Sequence, residues 1–150
     1  MSGVPFRFRL ERVRALRERK EQLAKTELAN AMRRLSESED RLRAADERLA
    51  HAREQQRSAT GAATSGAEMS ARQAYLERAE ALRRRGAQEM THSESEVDDR
   101  HARLGHAAQE RQMLERLKER RRGEHTRELA RRDANALDEM AIERFRRSAA

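Results

Sequence analysis

"LANAMRRLSESEDRLRAADERLAHA", residues Leu28 to Ala52, is the stretch that decides the fold. Leu28, Ala31, Leu35, Ser38, Leu42, Ala45, Leu49 and Ala52 follow one another at alternating steps of three and four. That rhythm sets two positions in every seven on one stripe of an α-helix, the pattern of a coiled-coil seam. Arg and Glu fill the other faces, often at helical pairing distances such as Glu37 with Arg41. Upstream, Val13, Leu16 and Leu23 keep the same period in a frame shifted by one residue. The mismatch near Leu23 and Ala24 predicts a local change in supercoil within a helix that continues. The first helix is therefore expected over residues 9–57.

The composition of the 150-residue chain agrees with long helices and not with a thick core. Charged residues make up 41% and hydrophobic ones 36%, with one Tyr, three Phe and no Trp. Leu, Ala, Glu, Arg and Gln are strong helix formers, and the single proline, Pro5, precedes the first periodic residues. Without cysteine there are no disulfides and no thiolate metal sites. No apolar run approaches the ~20 residues that cross a bilayer, and no signal-peptide core opens the chain, so a cytoplasmic protein is expected.

The texture changes at "SATGAATSGAEMS", Ser58 to Ser70, which has two glycines, several Ser and Thr, and no charge before Glu68. It reads as a turn, placed at residues 58–68. Its Gly61-x4-Gly66 spacing is not a phosphate loop, because Ala67 and Glu68 stand where Lys and Ser or Thr are needed. A second helix is expected over 69–147, with Met90, Ser93, Val97, Arg100, Leu104, Ala107, Arg111 and Leu114 in one heptad frame. Gly86 falls between two frames and is where a break would come.

Two such helices joined by a turn predict an all-α fold, an elongated antiparallel two-helix coiled-coil hairpin. Two registers remain open. A pivot at Gly61 to Gly66 sets Leu10 against Leu117 and Leu23 against Leu104. A hinge at Gly86 would instead bring Leu10 to Met140, and Phe8 close to Ile142 and Phe145. The first is preferred because a lone glycine seldom breaks a helix outright.

No catalytic constellation is visible, and no cofactor site. The five histidines lack zinc-binding spacing, and the carboxylates of "VDD", Val97 to Asp99, have no pocket around them. What stands out is basic charge. Six arginines and a lysine lie between Arg7 and Lys20 against Glu11 and Glu18, and "RLKERRRGEHTRELARR", Arg116 to Arg132, is similar. Glu11, Glu18, Glu119, Glu124 and Glu128 interrupt these runs, which counts against duplex reading, and the apolar face of Leu10, Val13 and Leu16 is narrow for a membrane surface. An acidic protein socket fits better. A basic coiled-coil nucleic-acid-binding or scaffold protein is the rival of a different class.

The opening "FRFRLERVRALRERKEQLAKTELA" resembles the start of the FliJ family, and "LERLKERRRGEHTRELARRDANALDEMAIERFRR", Leu114 to Arg147, is similar to its close. The resemblance spans nearly the whole chain. It implies a non-enzymatic coiled-coil stalk of the flagellar type III export apparatus, similar to the central stalk of rotary ATPases. Such a stalk enters the hexameric export ATPase ring and promotes its assembly and activity. It also contacts the export-gate membrane protein and helps to handle export chaperones, at the inner face of the cell membrane. Phe8, Leu10, Val13, Arg17, Arg120, Arg127, Asp138, Arg144 and Phe145 are the residues this resemblance puts forward for contact with the ring. No small-molecule substrate is implied. A stalk of a virulence-type secretion system is the near neighbour of this reading.

Overall fold

The computed structural model of the chain describes residues 5–59 and 65–149. They form two α-helices and no strand: α1, Glu11–Ala59, and α2, Gly66–Ser148. Of the turn expected at 58–68, residues 58–59 belong to α1 and 66–68 to α2, and residues 60–64 lie outside the described residues. Immediately after them, the Ser65 hydroxyl accepts from the Glu68 N–H, and the Glu68 carboxylate accepts from the Ser65 N–H, both at 3.2 Å. This reciprocal capping box satisfies two backbone donors, and it starts α2 at Gly66 rather than near residue 69.

The helices pair antiparallel in two units, one of Gln22–Gly105 and one combining the chain up to Glu21 with α2 from His106 onward. In the first of these, the seam is built from small residues. Ala24, Ala31, Ala45, Leu49 and Ala52 of α1 are buried, with Ala79 and Gly86 of α2. Ser38 is fully buried, and its hydroxyl donates to the carbonyls of Arg34 and Leu35, whereas Arg72 of α2 keeps one guanidinium nitrogen buried without a hydrogen-bond partner. Ion pairs flank the stripe: Arg34 with Glu96 at 2.5 Å, Arg83 with Asp46 at 2.9 Å, and Arg41 with Glu89 at 3.7 Å. Arg41 thus reaches across the pair to Glu89.

α2 is not broken at Gly86; it is helical and continuous there. A Cβ added at Gly86 would stand 3.5 Å from Leu42 Cδ1 and 3.6 Å from Leu42 Cα. Burial against Leu42 offsets the ~1 kcal/mol by which glycine disfavours a helix interior. With α2 unbroken, Leu10 and Phe8 share a groove with Leu117 and His125, as the pivot at residues 61–66 requires. The register that would bring Leu10 to Met140 is not adopted.

In the unit that starts at the N-terminal end of α1, the expected shift of frame does not occur. The stripe that contains Leu28 and Ala24 continues back through Glu21, Arg17 and Arg14. Glu21 is buried, Arg14 and Arg17 are half-buried, and Val13, Leu16 and Leu23 are 39%, 52% and 60% exposed. The physical reason is that α2 supplies a partner for each polar seam residue. Arg111 pairs with Glu21, Glu110 with Arg17 at 2.6 Å, and Glu115 with Arg14 at 2.8 Å. Satisfied in this way, charged residues hold the seam, and the neighbouring apolar residues face outward.

Candidate partner-binding surface

The unit that combines the start of α1 with α2 from His106 holds every residue put forward for partner contact. One flank of its helix pair is zipped by charge. Arg14 pairs with Glu11 at 2.7 Å, with Glu115 at 2.8 Å and with Glu18 at 3.4 Å, and Lys118 reaches Glu11 at 2.9 Å. Hydrogen bonds from Arg14 and then Lys118 hold the Glu11 carboxyl well below its usual range, at about 2. The same contacts, with Glu11 first and Glu115 second, raise the Arg14 guanidinium above its ordinary value.

Ahead of α1 the chain leaves helical conformation, and Pro5 to Leu10 run beside Leu117, Arg121, Glu124 and His125 of α2. The two segments enclose an open groove of about 970 Å³. The Phe6 ring tilts at 55° over the His125 imidazole, 5.7 Å between centroids, and Phe8 lies half-buried in the same groove. The Glu11 N–H donates to the Phe8 carbonyl at 3.2 Å, which ties this segment to the first turn of α1.

Of the residues put forward, Phe8 and Leu10 line this groove, and Val13 lies exposed one turn on. Arg17 is engaged with Glu110 and holds the helix pair together. Arg120 is exposed and pairs within α2 with Glu124 at 3.3 Å, and Arg127 is exposed with no ion-pair partner among the described residues. Asp138, Arg144 and Phe145 belong to the stretch 130–148, exposed apart from Ala136; Phe145 is 74% exposed. Arg144 lines a shallow depression there with Leu137, Met140 and Arg147. The structure therefore brings Phe8 and Leu10 together, and leaves Asp138, Arg144 and Phe145 on a separate stretch of α2.

Phe6, Leu16, Met113, Leu117 and His125 are not among the residues put forward for partner contact, although the sequence sets Leu16 on an apolar face and Leu117 opposite Leu10. For Leu16 the missing signal was the seam frame itself. Carried back unshifted from Leu28, it places Glu21, Arg17 and Arg14 inside and Leu16 outside. Among the described residues no three His, Asp or Glu side chains gather as a metal site would require, and no helix is long and apolar enough to cross a membrane.

Fold and surface define a coiled-coil hairpin whose chemistry is concentrated in exposed basic and apolar side chains and not in an enclosed pocket. The model of the family described as flagellar FliJ protein matches residues 6–150, and the chain belongs to that family. It is thus a component of flagellar protein export, in a family of structural components rather than known enzymes. Comparison with curated proteins and with solved structures returns no match.

Proposed function

We propose that this chain is the stalk of the flagellar export ATPase. The unit containing both the start of α1 and the 129–148 stretch of α2 enters the hexameric ring, promoting its assembly and hydrolysis. On this reading Phe8, Leu10, Val13, Arg120, Arg127, Asp138, Arg144 and Phe145 contact the ring, and Arg17 supports them by closing the helix pair. The protein also contacts the export gate and helps to handle export chaperones, held peripherally at the inner face of the membrane at the flagellar base. The observation that supports this reading most is that 130–148 projects nearly all its side chains into solvent, Leu137, Met140, Ile142 and Phe145 among them. An apolar surface of that kind, set among arginines, suits insertion into a protein socket of opposite charge.

The test is hydrolysis by the purified ATPase with and without this protein, after helicity has been checked. Reversing Arg120, Arg121 and Arg127 together to Glu is expected to lower stimulation about tenfold, because charge sets the encounter. Phe145→Ala should weaken it by a smaller factor. Arg43→Glu, on an exposed face of the other unit, should leave it unchanged. Full stimulation by the triple reversal would overturn the reading.

A further inference from the structure

The two flanks of a coiled-coil seam carry different chemistry in the unit that contains the start of α1. On one flank Arg14, Glu11, Glu115 and Lys118 close the helix pair with ion pairs. The other flank is the row of positions one residue ahead of alternate seam residues. In Gln22–Gly105 this row carries Arg34 with Glu96 and Arg41 with Glu89. Three heptads away in each helix, the corresponding positions are Val13 and Lys20 of α1, and Glu110 and Leu117 of α2. Charge persists at Lys20 and at Glu110, whose carboxylate Arg17 engages at 2.6 Å, and is replaced by Val13 on α1 and Leu117 on α2, which stand at equivalent levels on the same side. Leu16 and Met113, 52% and 69% exposed, follow next on that side, and Leu10, 39% exposed, continues the line toward the groove.

We infer that this flank is a docking groove for an acidic amphipathic helix of a partner protein, laid along Val13 and Leu117 as a third strand. Apolar residues on both walls, at heptad spacing, suit a row of apolar knobs from an incoming helix. The charge of the occupant follows from the rim. Arg9, Lys20 and Arg127 are exposed and have no ion-pair partner among the described residues. They therefore complement carboxylates along the edges of the incoming helix. A second copy of this chain fits poorly, since its net charge is +7. The inference requires no ATPase and does not rest on the stalk reading, although Leu10, Val13 and Arg127 belong to both surfaces, so that ring and helix would compete for them.

The experiment uses the full chain and a fluorescent synthetic helix of about three heptads, with Leu at its seam positions and Glu beside them. A second peptide carries Lys in place of Glu. Fluorescence anisotropy should show binding of the Glu peptide, and binding of the Lys peptide at least about tenfold weaker. Val13→Glu with Leu16→Glu should reduce affinity for the Glu peptide by about tenfold or more, with unchanged circular dichroism. Leu82→Glu, an exposed leucine of the other unit, should bind as wild type. If the double variant loses helicity, Lys20→Glu answers instead, through a weaker and less salt-sensitive interaction. Wild-type affinity in Val13→Glu/Leu16→Glu or in Lys20→Glu, or equal affinity for both peptides, would overturn the proposal. So would a concentration-dependent dimer in sedimentation that Leu16→Glu abolishes, since the occupant would then be a second copy. None of these outcomes bears on ATPase stimulation, so the two readings fail separately.

Discussion

An alanine at position 86 would meet Leu42 at 3.5 Å, an ordinary contact distance, in a helix interior with no positive φ at any described glycine. Gly86→Ala is therefore expected to stabilise the protein by about 0.5–1 kcal/mol, by removing backbone freedom from the unfolded chain. A higher thermal midpoint by circular dichroism checks it. A fall would show that the helices cannot accommodate the methyl group. Leu42, on the other side of that contact, behaves in the opposite sense. Leu42→Asp sets an unpaired carboxylate in a narrow apolar stripe, at a cost of about 2 kcal/mol or more, and should visibly lower helicity and midpoint. An unchanged melting curve would mean that position 42 does not belong to the seam.

At the scale of the element, α1 shows what the sequence could and could not disclose. The residues from Leu28 to Ala52 are legible because apolar side chains mark every turn of the stripe except Ser38, and each is buried or half-buried. Upstream the apolar residues mislead. Val13 and Leu16 suggest one frame, while α2 stabilises another through Arg111, Glu110 and Glu115. Periodicity detects apolar stripes, and a seam held by cross-helix ion pairs has none, so this part could not be read from one helix alone. The exposed apolar flank was hidden for the same reason, whereas the basic runs and terminal aromatics were plain in the sequence. A pair of variants tests the polar seam. Arg111→Leu leaves Glu21, 8% exposed in its side chain, without its guanidinium, and should destabilise by about 1–3 kcal/mol. Glu21→Leu with Arg111→Leu should recover that loss wholly or in part, because well-packed apolar pairs commonly equal buried ion pairs. If the double variant is less stable than Arg111→Leu alone, the ion pair is not what the seam needs at this level.

At the scale of the whole molecule, the two units are held by different forces, and solution conditions should separate them. Gln22–Gly105 closes on alanine, leucine and glycine, which neither salt nor protons affect directly. The other unit relies on Arg14, Glu11, Glu115, Lys118, Arg17 and Glu110, all accessible enough for salt to screen. Acid acts in the same direction. The Glu11 carboxyl falls from 4.5 to about 2 on folding, so its contribution is fully present above pH 4.5 and is lost as the pH falls toward 2. Glu96 is also lowered, by Arg34, and loses its contribution in acid, but the apolar seam beside it remains. Hydrogen exchange read by mass spectrometry, corrected for intrinsic rates, can follow each unit by itself. Going from low salt to about 1 M, or from neutral pH to about 3, protection in residues 11–21 and 106–128 should fall by a larger factor than in 28–52 and 76–97. Lys118→Met should reproduce part of that loss at neutral pH and low salt, since it removes one of the two cations on Glu11. Equal losses in both sets of residues, or an earlier loss in 28–52, would mean that apolar contacts close both units and that the ion pairs only decorate them.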